Sequence, residues 1–300
     1  MLFAPHGVYA VTAFSHFHRF LTFPAVAVAL VASPVAAQRP SPMVPGVLRV
    51  CADPDNLPGS NTAGEGYENK LAELLAQTWN SKLEYIWWAA PRGEIRMLNG
   101  MYCDVMLEAP AGYDLAGVTR PYFRTGYVVV QRADASHKVT SLDDPALKKM
   151  RIGVHLYAAD NENSPPAMAL SAHGVVGNLV GFSTVYTDVR NHPDDIIKAV
   201  ISDSVDLAIV WGPVAGYYVK QLGANLTLTP LPDDTLTGIP FVYSMGFATR
   251  RREHEFRDSL QKFLDTKAPE IHALLERYGI PLFSIPADTG QAPQSAGPAR

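Results

Sequence analysis

Polar and aromatic side chains collect at a few places where the strands of an open α/β sheet would end. The first group, Asp53, Asp55, Asn56, Ser60, Asn61 and Glu65, follows the β-branched run Val47–Ala52. Tyr113 and Asp114 follow a second strand-like run, and His155, Tyr157 and Trp211 end two more. Ligands bind beyond the carboxyl ends of such strands. Asp53, Asn56, Asn61, Glu65, Tyr113, His155 and Trp211 are therefore the candidate ligand contacts. Each taken alone is the kind of residue that makes a turn or caps a helix. Together they would line a mouth between two facing sheets.

Catalytic signatures are missing. The chain has no G-x-S-x-G elbow, no phosphate-binding G-x-x-x-x-G-K-[ST] loop, no G-x-G-x-x-G and no H-E-x-x-H. Asp53-Pro54-Asp55 starts like a calcium loop, but Leu57, Pro58 and Gly64 occupy positions needing an oxygen ligand, a turn glycine and a bidentate Glu. It reads as a Pro-and-Asp turn. An enzyme on this chain would need a carboxyl of raised pKa beside a positioned partner. Glu65 and Glu68 are the nearest candidates, and Glu68 reads as solvating the outer face of its helix. The expectation is no enzyme, no metal site and no cofactor of its own.

The elements that must position these residues alternate. Helical periodicity covers 66–80, with Tyr67, Leu71, Leu74, Leu75 and Trp79 on one face. Strand patterns cover 82–88, 103–109 and 125–132, and a helix opening on Pro91 covers 91–101. A second series follows: a short helix at 141–149, a strand at 151–156, helices at 165–173 and 193–204, a strand at 205–211, a helix at 213–222 and a strand at 226–231. The chain then returns through a strand at 242–249 and a helix, continuous or broken, at 253–278 that Gly279 ends. Strands joined by helices make parallel sheets covered on both faces. The expected class is α/β, with two α/β lobes around a cleft. Trp87 and Trp88 are adjacent on a strand, so at most one can face the core.

Composition bounds the rest. The 300 residues exceed what one core of ordinary size needs, and 47% are hydrophobic against 18% charged. The net charge is −4, and the first 37 residues hold one Arg (Arg19) and no acid, so the remainder carries −5. That gives nucleic acid no electrostatic reason to bind. His16, His18 and Arg19 precede an apolar run of about a dozen residues, shorter than the roughly 20 that span a bilayer, and Val35-Ala36-Ala37 offers a small-residue exit. The pattern predicts a signal peptide at 1–37, a linker at 38–46, a periplasmic destination and no stable membrane insertion after cleavage. A retained anchor is the alternative. Residues 283–300 read as a disordered tail. Cys51 and Cys103 can form a disulfide in an oxidising compartment, or can serve as small buried hydrophobes.

These residues also carry a family resemblance. LRVCADPDNLP followed by GYENKLAELLA, then TRPYFRTGYVVVQR, MRIGVH, VDLAIVWGP and VYSMGFATRR resemble a family-3 solute-binding protein across 47–282. The resemblance implies the type II periplasmic-binding-protein fold, with 47–125 and 241–282 as lobe 1 and 126–240 as lobe 2. A narrower match is carried by GEGYENK, the tryptophan-rich strand before APRG, CDVMLEAPAGYD and AIVWGPVAGYY. These are similar to the quinoprotein-dehydrogenase-associated binding-protein-like family of MxaJ/XoxJ type, with the XoxJ branch nearer. That implies a non-catalytic accessory to a PQQ-dependent methanol or alcohol dehydrogenase, with the dehydrogenase and its c-type cytochrome as partners.

Three departures sharpen the expectation. Amino-acid receptors of this fold hold a ligand carboxylate with an Arg soon after the third strand, a charge-assisted contact; here 111–114 is Ala-Gly-Tyr-Asp and the next Arg is Arg120. Their ammonium-binding Asp is replaced by Trp211-Gly212. Relative to the narrower family, Gly59 stands where an aromatic residue is usual, which implies a wider mouth. The competing reading is the solute-binding component of an ABC importer for a small polar ligand.

Overall fold

The computed structural model describes residues 43–89, 93–157, 162–184 and 192–285. The chain first runs through β1 (Val47–Ala52), the short pair β2 (Asp55–Asn56) and β3 (Ser60–Asn61), α1 (Tyr67–Thr78), β4 (Lys82–Trp87), α2 (Gly93–Asn99), β5 (Val105–Pro110) and β6 (Gly117–Val118). The ten-residue β7 (Phe123–Arg132) leads to β8 (Ile152–Tyr157), β9 (Glu162–Asn163), α3 (Pro165–Ala172), β10 (Leu179–Ser183), α4 (Asp195–Ile201), β11 (Leu207–Trp211), α5 (Gly212–Gln221) and β12 (Leu226–Pro230). β13 (Val242–Thr249) and α6 (His254–Arg277) return.

The main strand order is β10-β8-β11-β7-β13-β5-β1-β4. β1 pairs in parallel with β4 and β5, and β8 with β10 and β11. The path changes lobe within β7. Residues 123–126 pair antiparallel with β13, whereas 127–130 pair with β11 and 128–132 with β12. One long strand thus belongs to lobe 1 at its start and lobe 2 at its end. This is the mixed α/β, two-lobed class that the alternation of elements implied.

Period-two alternation explains why both faces of each half are covered. Tyr127, Val129, Leu207 and Ile209 point into one lobe-2 cluster, and Val128, Val130, Ala208 and Val210 into the opposite one. In lobe 1, Leu48, Val50, Val105 and Leu107 pack beneath α1 and α6, while Cys51, Met106 and Ala109 pack against Ile95 and Leu98 of α2.

Some local expectations change. The short helix at 141–149 is a 3-10 turn at Pro145–Lys149. Helix α6 is continuous through Pro269, although an interior proline costs about 3 kcal/mol; its buried stripe of Leu260, Phe263, Leu264, Ile271, Leu274 and Leu275 outweighs that cost. Strand β10 escaped the sequence reading because as an edge strand it alternates weakly (LVGFS, mostly solvent-accessible). No helix among the described residues is long and apolar enough to cross a membrane. The expected signal peptide, residues 38–42 of the linker, the expected helix start at Pro91 and the tail beyond 285 lie outside the described residues. The tail expected from 283 begins later, because Phe283 packs in a lobe-2 cluster and its N–H donates to the Arg124 carbonyl.

Candidate functional site

The loop between β1 and α1 is held by its own polar side chains. The Asp53 carboxylate accepts from the Asp55 N–H (2.9 Å), and Ser60 Oγ accepts from the Asp53 N–H while donating to its carbonyl. Asn61 Nδ2 donates to Glu65 Oε2, and the Glu65 N–H returns a bond to Asn61 Oδ1, both at 2.8 Å. Asn69 Oδ1 accepts from the N–H groups of Asn61 and Gly66. The first helical N–H groups of α1, on Tyr67 and Glu68, donate to the carbonyls of Pro58 and Gly59. A helix N-terminus is a ready anion site when its donors are free; here the loop consumes them. Gly66 is required, since a Cβ there would collide with the Gly59 carbonyl.

Four carboxyls in this lobe are held above their usual range: Asp53 in the loop, Glu68 in α1, Glu94 in α2 and Glu108 in β5. Glu68 is buried, with 8% of its surface exposed, which corrects the expectation that it solvates its helix. Burial pushes it up to about 7, with the Asp53 charge adding to the rise. Burial pushes Glu108 up to about 8, and Tyr67 donates its hydroxyl to Glu108 Oε2. Glu94 is raised well above the carboxylate range by burial and by repulsion from Glu68 and Asp53. Asp53 is raised by burial against the pull of its Asp55 bond. Tyr122 donates to the Leu107 carbonyl (3.0 Å), and its own ionisation is suppressed by burial and by Glu108 and Glu68. Among the described residues, no Lys or Arg contributes to the shift of any of the four carboxyls. A Cβ built on Gly59 would stand 3.0 Å from Glu68 Oε1 and 3.3 Å from Asn56 Nδ2. The space an aromatic residue would enter at 59 is thus faced by these two side chains.

The aromatic wall of the same edge comes from β4. Trp87 stacks on Tyr85 (centroids 4.6 Å, interplanar 20°). Trp88, 44% exposed, lies over Gly93, where a Cβ would collide with its indole. The pair of tryptophans divides as adjacency on a strand requires.

The remaining candidates sit elsewhere. Tyr113 packs, half-buried, with the cluster that contains Cys51 and Cys103. Those two cysteines are bonded, with Cα atoms 5.5 Å apart, tying the end of β1 to the turn before β5. His155 is buried in β8 opposite Phe182; burial lowers its pKa to about 4 and keeps the ring neutral. Trp211 ends β11 at the change of lobe, edge-on to Tyr127 (5.3 Å) and Tyr243 (5.7 Å). The structure therefore gathers Asp53, Asn56, Asn61 and Glu65 on one loop and places Tyr113, His155 and Trp211 in separate packing environments. Glu94 and Glu108 escaped the sequence reading. An acid inside an apolar strand, as in VMLEAP, is the signal that could have found Glu108.

At neutral pH Glu68, Glu94 and Glu108 can donate hydrogen bonds as acids, or release protons to accept a cationic group. They cannot supply the fixed positive charge that an α-carboxylate needs. Arg120, the next arginine after β5, is turned away: its N–H donates to Gln261 Oε1 and its guanidinium pairs with Asp265, both on α6, at 2.7 Å.

No protein-family model matches the chain. Protein MoxJ of Paracoccus denitrificans is 29% identical over 254 residues, 78% of this chain and 88% of that protein. The solved structure of periplasmic binding protein XoxJ from Methylobacterium extorquens AM1 is similar at 30% identity and TM-score 0.64, covering 80% of this chain and 100% of that one. MxaJ from Methlophaga aminisulfidivorans MPT is similar at 26% identity and TM-score 0.68, covering 79% and 100%.

Proposed function

The chain belongs to the MxaJ/XoxJ type of periplasmic binding protein, and from that premise we propose that it is a non-catalytic periplasmic accessory of a PQQ-dependent methanol or alcohol dehydrogenase, docking with that enzyme or helping it mature. The observation that carries this reading is the edge of lobe 1. A receptor scaffold is kept, but its strand ends present carboxyls shifted toward neutrality, and Arg120, the next arginine after β5, is paired with Asp265 on α6. A receptor-shaped scaffold whose strand ends lack the charge pattern of an amino-acid receptor in sequence suits a protein partner. The quinone cofactor belongs to the partner, and its c-type cytochrome is the second candidate partner. The test is recovery of partners by the tagged protein from the periplasm of methanol-grown cells. The dehydrogenase or its cytochrome is expected in the eluate, and a deletion strain is expected to grow poorly on methanol. If neither protein is recovered and growth is normal, the reading fails.

A second reading, the binding component of an importer, is favoured by the aromatic and carboxyl-rich edge of β4 and α1, which would suit a small polar cation. A thermal-shift screen separates the two, because a ligand that binds only the folded state raises the melting temperature by mass action, increasingly as its concentration exceeds Kd. A shift at micromolar ligand supports the importer.

A further inference from the structure

Two-lobed scaffolds of this kind can close by rotation about the strands that join them, provided nothing else crosses the joint. Here a second seam crosses it. Helix α5 packs on β7, β11 and β12 in lobe 2, whereas α6 packs on α1 and β13 in lobe 1. Gly216 of α5 meets Gly279, the residue that ends α6 in a left-handed conformation (φ +75°). A Cβ on Gly216 would collide with the Gly279 carbonyl, and one on Gly279 would stand 2.8 Å from the Gly216 carbonyl oxygen. The two backbones are in direct contact, which only glycine allows.

Polar and aromatic contacts reinforce that approach. Lys220 Nζ donates to the carbonyls of Arg277 (2.8 Å) and Glu276 (3.4 Å), so a lobe-2 lysine caps the C-terminus of a lobe-1 helix, where a positive charge is favoured. Tyr217 stacks on Tyr278 (5.8 Å, 19°), and Tyr278 packs edge-on against Tyr67 of α1. Beyond α6 the chain runs back over the joint. Ile280 and Leu282 pack in the lobe-1 core, and Phe283 packs in a lobe-2 cluster. Thr125 Oγ1 donates to the Pro281 carbonyl (2.7 Å), and the Phe283 N–H donates to the Arg124 carbonyl (2.8 Å), both on the segment of β7 where lobes change.

We propose that this seam of α5, the end of α6 and residues 279–285 is an inter-lobe lock, which holds one fixed angle between the lobes in place of a hinge that closes on a ligand. The claim concerns motion and stands apart from the identity of any partner. Rotation about β7 and β13 would have to separate the Gly216–Gly279 backbones, strip the α6 cap and pull residues 281–283 off β7 together.

Spin labels at Gln77→Cys on α1 and Ser171→Cys on α3, both exposed positions, report the angle by pulsed electron resonance; the two native cysteines are bonded and stay unlabelled. The wild-type chain is expected to give one narrow distance peak. Gly216→Ala is expected to shift or broaden it. A broad or double peak in the wild type overturns the lock, as does a Gly216→Ala peak that is unchanged. Should Gly216→Ala lose its folded circular dichroism, the pair Tyr217→Ala with Lys220→Met, on the solvent side of the seam, takes its place. An unchanged peak there likewise overturns the proposal, and a broadened one supports it.

Discussion

Lobe 1 ends its parallel strands in carboxyls and tyrosines, whereas lobe 2 ends its strands in a buried histidine and a tryptophan packed among aromatics. Both edges move toward neutrality, but by opposite proton movements. Burial raises Glu68, Glu94 and Glu108, so lobe 1 keeps protons that free carboxyls would release. Burial lowers His155, so lobe 2 refuses a proton that a free imidazole would take. The lesson is that the two lobes share an architecture and, among the described residues, shift their strand-end groups by burial in opposite directions.

Removing the Cys51–Cys103 bond acts on lobe 1 alone and is the largest expected effect. Closing a 52-residue separation stabilises by about 4 kcal/mol on the chain-entropy account. The double alanine variant should lose that much in denaturant titrations, and reduced wild-type protein should match it. On the lobe-2 side, Trp211→Ala removes two edge-on aromatic contacts at the change of lobe. It should cost about 3 kcal/mol, the low end for a large aromatic since Trp211 is only half-buried. A cost no larger than that of an exposed residue would show that the junction is not packed as described.

The opposite proton movements predict opposite pH dependences. A carboxyl raised in the folded state binds more protons there than when unfolded, so its contribution is complete below the unfolded value and declines as pH rises. For Glu68 and Glu108 that window runs from 4.5 to about 8. Glu68→Gln should flatten part of this decline, an effect on the order of 3 kcal/mol at pH 8 given about 1.4 kcal/mol per pKa unit. His155 contributes fully above 6.5 and loses its contribution as pH falls toward about 4; His155→Phe should remove that acid-side loss. Unfolding free energies of wild type and both variants between pH 4 and 9 check both signs. If Glu68→Gln leaves the alkaline limb unchanged, the buried placement of Glu68 is wrong.

The smallest effect belongs to Trp88→Ala. Trp88 is 44% exposed and lies over Gly93, so its loss should change stability by less than about 1 kcal/mol. The contrast with Trp211 then measures how differently the two lobes use tryptophan.

Much of the fold was legible because it rests on periodicity. Alternation in TGYVVVQR and the Tyr67, Leu71, Leu75 stripe identify a strand and a helix without any partner, since one face of each must find a core. The candidate site was less legible. Asn61 and Glu65 look like cleft ligands by type, yet spend their hydrogen bonds on each other and on the loop. Glu68 looks like a surface acid by helical position, yet is buried because the 53–66 loop folds over the start of α1.

What the sequence by itself determined is the order of the main strands and helices, the α/β class, the absence of known catalytic signatures and the missing arginine directly after β5. Each follows from residue type and spacing along the chain. Only the tertiary structure decided that Glu68, Glu94 and Glu108 are raised by burial, that Cys51 reaches Cys103, and that Gly216 meets Gly279 across the lobes. Burial, proximity and close backbone approach depend on segments tens of residues apart arriving at the same place, and no local pattern records that.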